Sequence, residues 1–201
     1  MPWSPASSLC GRRGLRPSAD LADGPRLTQW LGALETRLRS TGTTLSAVRS
    51  GHFQEKVRDL LGAARAAGVY PVFGESADVP VPMVATRDVG AVVAETLQAC
   101  PTASQVIDVQ GPGYPERYVA DRLSAVLGRP LEVITIPREG WVDALVGAGL
   151  PAFAAKLLAE LYAADSDGLL LPSGDRQVRG DTPIEETLRH LLGLDRATPA
   201  A

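Results

Sequence analysis

From Pro25 onward the apolar positions fall into two alternating rhythms. Leu27, Trp30, Leu31, Leu34 and Leu38 recur at three- and four-residue steps, which predicts an amphipathic helix with these side chains as its buried stripe. Gly42 follows, where such a helix needs a left-handed stop. Residues 43–49 read as a β-rich run leading into Ser50-Gly51, and Phe53, Val57, Leu60, Leu61 and Ala64 then set a second helical pattern that ends before Gly68. Residues 69–73 and 81–84 are short apolar pieces interrupted by proline, which cannot donate to a central ladder, so edge or connecting strands are expected there. Thr86 opens a helix with Asp88 in its first turn and Val89, Val92, Val93, Ala94 and Leu97 as its apolar stripe. A strand is expected over 104–109. Pro115 suits the first turn of a helix carrying Val119, Leu123, Val126 and Leu127 as far as Gly128, and 131–136 alternates as a strand. Residues 138–192 read as mostly helical, with no internal repeat. The implied fold class is α/β: a parallel sheet with flanking helices and a small α-rich part from about residue 69 onward.

Composition narrows the picture without changing it. At 201 residues, 45% hydrophobic and 21% charged, the chain can build one packed core. No apolar run reaches the ~20 residues of a bilayer-spanning helix, and the early candidate is broken by Arg12, Arg13 and Arg16, so neither a membrane span nor a secretory signal is expected. The net charge is -3 and the basic residues are dispersed, which argues against nucleic acid as a direct partner. Cys10 and Cys100 are far apart, as are His52 and His190, giving no zinc spacing and no disulfide framework; a reducing cytoplasm is the expected location. Residues 1–19 show no regular period and are expected to be poorly ordered.

Several catalytic signatures can be set aside. In Val109-Gln110-Gly111-Pro112-Gly113-Tyr114-Pro115-Glu116 a strand runs into G-x-G and a helix, but the third glycine position holds Glu116, whose carboxylate would repel phosphates, and a plain turn accounts for the segment. A Tyr-x-x-x-Lys pair is missing: lysine occurs only at Lys56 and Lys156, and Tyr118 is followed by Arg122. There is no Gly-x-Ser-x-Gly elbow and no Gly-Lys-Ser/Thr phosphate loop.

The remaining feature is Val48-Arg49-Ser50-Gly51-His52-Phe53-Gln54-Glu55, at the carboxyl end of a predicted central strand, where open α/β sheets build their clefts. With Leu34-Glu35, Leu38, Gly42 and Leu45 before it, this run resembles a stretch of the NmrA-like proteins, atypical members of the short-chain dehydrogenase/reductase group. Arg87-Asp88-Val89-Gly90, Gly111-Pro112 with Tyr114 and Leu127-Gly128-Arg129, Ile136-Pro137 with Trp141, and Thr182-Pro183 with Glu186 resemble further elements of that family in the same order. The similarity runs from about residue 19 to about residue 192 and corresponds to the family's C-terminal part; Lys56 stands where many relatives have Asn.

The resemblance implies a partial Rossmann-like sheet with an α-rich C-terminal substrate subdomain, divided into a poorly ordered segment over 1–19 and an NmrA-like domain over 20–195 that lacks the N-terminal dinucleotide-binding half. It implies an NAD(P)H-dependent oxidoreductase of the quinone- or azo-reductase kind acting on a small molecule, with a non-catalytic NAD(P)-sensing regulator, or an inactive fragment, as the alternative. It places Arg49, Gly51, Phe53, Gln54 and Glu55 at the cofactor and substrate cleft, and Tyr114 and Trp141 on the substrate side. Scaffold roles compete: Arg49 pairing with a helix end, Gly51 supplying a turn, Phe53 in the core, Glu55 solvated on a helix. With half a Rossmann sheet missing, the strand at 43–49 is expected to have an open edge, weak cofactor binding follows, and the isolated chain is expected to self-associate.

Overall fold

Helices and strands alternate along the chain as its two apolar periods require. A computed structural model describes residues 7–11, of these the backbone alone, and 25–194. The order is β1 (Ser7–Gly11), α1 (Arg26–Arg39), β2 (Leu45–Ser50), β3 (His52–Phe53), α2 (Val57–Ala67), β4 (Val69–Val72), β5 (Pro80–Val84), α3 (Thr86–Ala99), β6 (Gln105–Gln110), β7 (Gly113–Pro115), α4 (Glu116–Leu127), β8 (Glu132–Thr135), α5 (Trp141–Gly147), α6 (Ala152–Ser166), β9 (Arg176–Arg179) and α7 (Ile184–Leu191). Single 3-10 turns, Gln54–Lys56 and Arg138–Gly140, precede α2 and α5. Gly68 and Gly128 end α2 and α4 with φ of 68° each, the left-handed stop that glycine adopts without a Cβ clash.

The main sheet is parallel throughout, in the order β1-β2-β6-β9. Every residue of β2 is buried, as expected of a strand covered on both faces. Side chains alternate between the faces. Val48, Ile107 and Val109 lie with Val89 and Val92 of α3 in one apolar layer, while Arg49 turns the other way, to Glu35 of α1. Two smaller sheets continue from it. β3 runs parallel to β5, which pairs antiparallel with β7, and β4 runs parallel to β8. A second core joins α2, β4, α4 and α7 through Val57, Ala64, Tyr70, Val119, Leu123, Ile184 and Leu188.

Three sequence expectations change. Segment 7–11, expected without regular structure, forms β1 and covers the edge of β2 expected to be open; the rest of 1–19 lies outside the described residues. The stripe assigned to α1 is not its buried face: Thr28, Gly32 and Glu35 are buried, whereas Trp30 is 58% and Leu34 46% exposed. The reason is electrostatic: Arg49 is buried in the facing strand and draws Glu35 inward. The last third is mostly helical, as expected, with β9, whose one apolar side chain is Val178, added as an edge strand by pairing with β6. Finally, Phe53 to Lys56 is a strand end and a 3-10 turn rather than helix, so Glu55 does not sit on a helix surface.

Candidate functional site

The carboxyl ends of β2 and β6 form the edge where an open parallel sheet places its ligands. Beyond β2 the chain makes the Ser50-Gly51 break and re-pairs as β3, with His52 opposite Met83 and Phe53 opposite Val84. This short pairing fixes the backbone of His52 and Phe53.

Arg49 donates from Nε and Nη2 to Glu35 Oε1 and Oε2 at 2.9 and 2.5 Å, a bidentate pair almost out of water. Gly51 is half-buried and is not among the described glycines with positive φ, so it does not supply a left-handed turn. Phe53 packs against the Val48, Val84, Val89 cluster. Gln54 is fully buried: its Nε2 donates to the carbonyls of Met83 and Thr182 at 3.2 and 2.8 Å, and its Oε1 accepts from Thr187 Oγ1 at 2.5 Å. That amide ties β5 to the start of α7. Glu55 accepts from the Thr86 backbone N–H at 2.9 Å and from Thr86 Oγ1 at 2.6 Å, filling the amino terminus of α3. Arg49, Phe53 and Gln54 are thus engaged in packing contacts, Arg49 with a residue inside α1 rather than at a helix end, and Glu55 caps a helix.

Tyr114 and Trp141 stand in different surroundings. The Tyr114 hydroxyl accepts from the Ile184 N–H at 3.2 Å and its ring stacks on Tyr118 at 5.7 Å, in the α4–α7 packing. Trp141 is buried, donates from Nε1 to the Ile136 carbonyl at 2.8 Å, and meets Tyr162 edge-on at 6.2 Å. It also lines a depression of about 200 Å3 at the carboxyl ends of β4 and β8, bounded by Glu75, Ile136, Arg138 and Ser166. Arg138 lies over the Trp141 ring at 5.8 Å and pairs with Asp167 at 2.7 Å.

The sequence passed over three groups that the fold brings together. His52 Nε2 lies 2.6 Å from Asp165 Oδ2, across 113 positions of chain, joining β3 to the last turn of α6 beside Ser166. Lys56 pairs with Glu116, whose other oxygen accepts from the buried Tyr70 hydroxyl at 2.7 Å. Burial first, and then the Glu116 carboxylate, push the Tyr70 phenol well above its usual range. Glu116, the residue that disqualified the G-x-G turn, is thus neutralised inside the protein. Third, the Ser50 hydroxyl at the end of β2 is buried without a hydrogen-bond partner, and so is Asp108 Oδ1, although Asp108 Oδ2 accepts from the Ser173 and Gly174 N–H groups at 2.7 and 2.6 Å. Ser50 and His52 fall inside the quoted run, and Lys56 and Glu116 were noted as departures from motifs, but Asp165, Tyr70 and Asp108 carried no such signal.

The fold has counterparts among known proteins. No protein-family model matches the chain. Over 144 residues it is 31% identical to the NAD(P)H azoreductase of Xenophilus azovorans, covering 70% of this chain and 49% of that protein. The chain thus spans about half the length of the curated relative it matches. An NADPH-dependent quinone oxidoreductase of Escherichia coli solved with NADPH superposes with a TM-score of 0.68 at 20% identity, over 92% of this chain and 65% of that one. The chain has the fold of NAD(P)-binding reductases. A nucleoside-diphosphate-sugar epimerase of Staphylococcus aureus (TM-score 0.67, 17% identity, 90% of this chain and 63% of that one) and the triphenylmethane reductase of Citrobacter sp. complexed with NADP(H) (0.64, 19%, 92% and 65%) share it. Among the described residues no helix is long and apolar enough to cross a membrane.

The described residues suit one end of such a cofactor. The unpartnered Ser50 hydroxyl at the sheet's carboxyl edge is a polar group in want of a ligand. The amino terminus of α3, by contrast, is occupied by Glu55, and Glu116 opens α4, so neither offers a pyrophosphate its seat.

Proposed function

We propose that this chain carries the substrate side of an NmrA-like, NAD(P)H-dependent oxidoreductase acting on small aromatic acceptors of the quinone or azo kind. The observation that carries the proposal is the 31% identity to an NAD(P)H azoreductase, supported by a depression that opens at the carboxyl ends of β4 and β8 beside Trp141 and Ser166, the residue that follows Asp165 in α6. Bound at the carboxyl end of β2, a reduced nicotinamide would supply the hydride. Ser50 and the backbone at Gly51 would hold its ring end. Phe53, Gln54 and Glu55 act one step behind: Phe53 and Gln54 fix the floor under the edge, and Glu55 holds α3 against it. Trp141 and Arg138 take the substrate's aromatic surface, and Tyr114 supports the α7 side of the domain over 20–195.

Protein-dependent reduction of 1,4-naphthoquinone at millimolar NADPH tests this. Quinol should form in proportion to protein concentration. Cofactor binding without quinol would instead favour a non-catalytic sensor. The exposed Trp30 and Leu34 support self-association, which sedimentation at micromolar concentration would reveal.

A further inference from the structure

We propose that His52, held by Asp165, is the proton donor of that reduction; the proposal rests on the reductase reading above and extends it to a named acid. Reducing a C=O or N=N acceptor by two electrons requires a hydride at one atom and a proton at the heteroatom. The π bond breaks, one hydrogen arrives with its electron pair from a reduced nicotinamide, and an X–H bond forms with the proton that the imidazolium releases. The nicotinamide is left oxidised and the imidazole neutral, and water returns the proton to the ring.

Several other acids and cations near this edge are already committed. Glu55 is held by Thr86, Lys56 and Tyr70 converge on Glu116, Arg49 is locked to Glu35, and Tyr118 donates to Glu185 at 2.6 Å on the far helix face. Facing His52 from α6 is Asp165, and two positions on Asp167 is paired with Arg138. Imidazole is the one side chain that ordinarily changes charge near neutrality, so it can both give and regain a proton there. Position favours it as well. His52 lies on a strand pinned to Met83, directly after the Ser50-Gly51 break, and its ring keeps 11% of its surface exposed. Asp165 immediately precedes Ser166, which lines the depression. A carboxylate 2.6 Å from Nε2 orients the ring and stabilises its charged form, which makes Asp165 a positioning residue.

The chain has two histidines, so the experiment is direct. The full chain, with 15N-labelled histidine, is titrated with 1-naphthol, a stable mimic of a reduced aromatic product, and the ring resonances are assigned with H52Q and H190Q. The His52 signal should move saturably and its titration midpoint shift by a unit or more, with His190 unmoved. In turnover with NADPH and 1,4-naphthoquinone, H52Q should lower kcat by about 10²- to 10⁴-fold and remove the alkaline limb of the pH profile. D165N should lower kcat less and move that limb, and H190Q should change neither. H52N replaces H52Q if the latter does not fold by circular dichroism. Naphthol binding that leaves His52 unmoved, or a His52 variant with the original rate and pH profile, overturns the proposal while leaving the reductase reading intact. Neither binding nor turnover by the unaltered chain overturns both.

Discussion

Replacing Gly111 with alanine asks what the glycine turn after β6 is for. A Cβ at this position would lie 1.9 Å from the Met83 carbonyl oxygen, 2.4 Å from its carbon and 2.7 Å from Val84 Cα. Ordinary non-bonded contact starts near 3.5 Å, so the two backbones would have to separate by roughly 1.5 Å. They are not free to do so, because the Met83 N–H donates to the Pro112 carbonyl at 2.9 Å and β5 is paired on both sides. Overpacking against fixed backbone lies at the upper end of single-substitution costs, about 3–5 kcal/mol. With a urea slope of about 2 kcal/mol/M, the unfolding midpoint should fall by about 2 M. Gly113 is the internal control: its Cβ would meet Pro80 at 3.5 Å, an ordinary contact, so Gly113→Ala should cost less than about 1 kcal/mol. Equal midpoints for the two variants in urea titration, or the reverse order, would refute the assignment of this turn to close strand packing.

Three further outcomes follow from the same contacts. Glu35→Gln leaves the Arg49 guanidinium buried without its counter-charge and should lose about 3–5 kcal/mol, whereas the Glu35→Leu, Arg49→Leu double variant should recover most of it; additive losses in a double-mutant cycle would contradict the pairing. Gln54→Ala strands two carbonyls and the Thr187 hydroxyl at a fully buried site, each worth about 1–3 kcal/mol, so its melting temperature should fall by more than that of Phe53→Leu. The Tyr70 phenol holds its proton more tightly folded than unfolded, so its contribution is full below the ordinary tyrosine pKa of about 10 and is lost as pH rises above it. Tyr70→Phe should flatten the fall in stability above about pH 10; an unchanged alkaline slope would count against a buried, proton-holding Tyr70.

The positions of β2, α3, β6, α4 and β8 were legible because each carries an unbroken apolar period bounded by proline or glycine, and because Gly68 and Gly128 fall where left-handed stops are needed. The strand β9 was not, since Arg176, Gln177 and Arg179 have no reason to be extended except the hydrogen bonds β6 offers. The wrong face of α1 was assigned because a periodic count weighs Leu34 above Glu35, and only the fold reveals that Arg49 waits opposite. At the candidate site the run from Arg49 to Glu55 lies at the carboxyl end of β2, where its sequence position puts it. It could not distribute the roles: Gln54 and Glu55 are occupied by Thr187 and Thr86, whose separations of 133 and 31 positions no local pattern encodes. The His52–Asp165 pair was hidden for the same reason.

The central claim, that this chain holds the substrate side of an NAD(P)H-dependent reductase, is tested most directly by quinol formation. Purified chain is incubated anaerobically with several millimolar NADPH, in excess of the weak binding expected where helix amino termini are already filled by carboxylates. The quinol formed from 1,4-naphthoquinone is quantified by chromatography against a blank lacking protein. The account predicts a rate above the blank that scales with protein and drops at least 100-fold in H52Q; a rate equal to the blank at every cofactor concentration would contradict it.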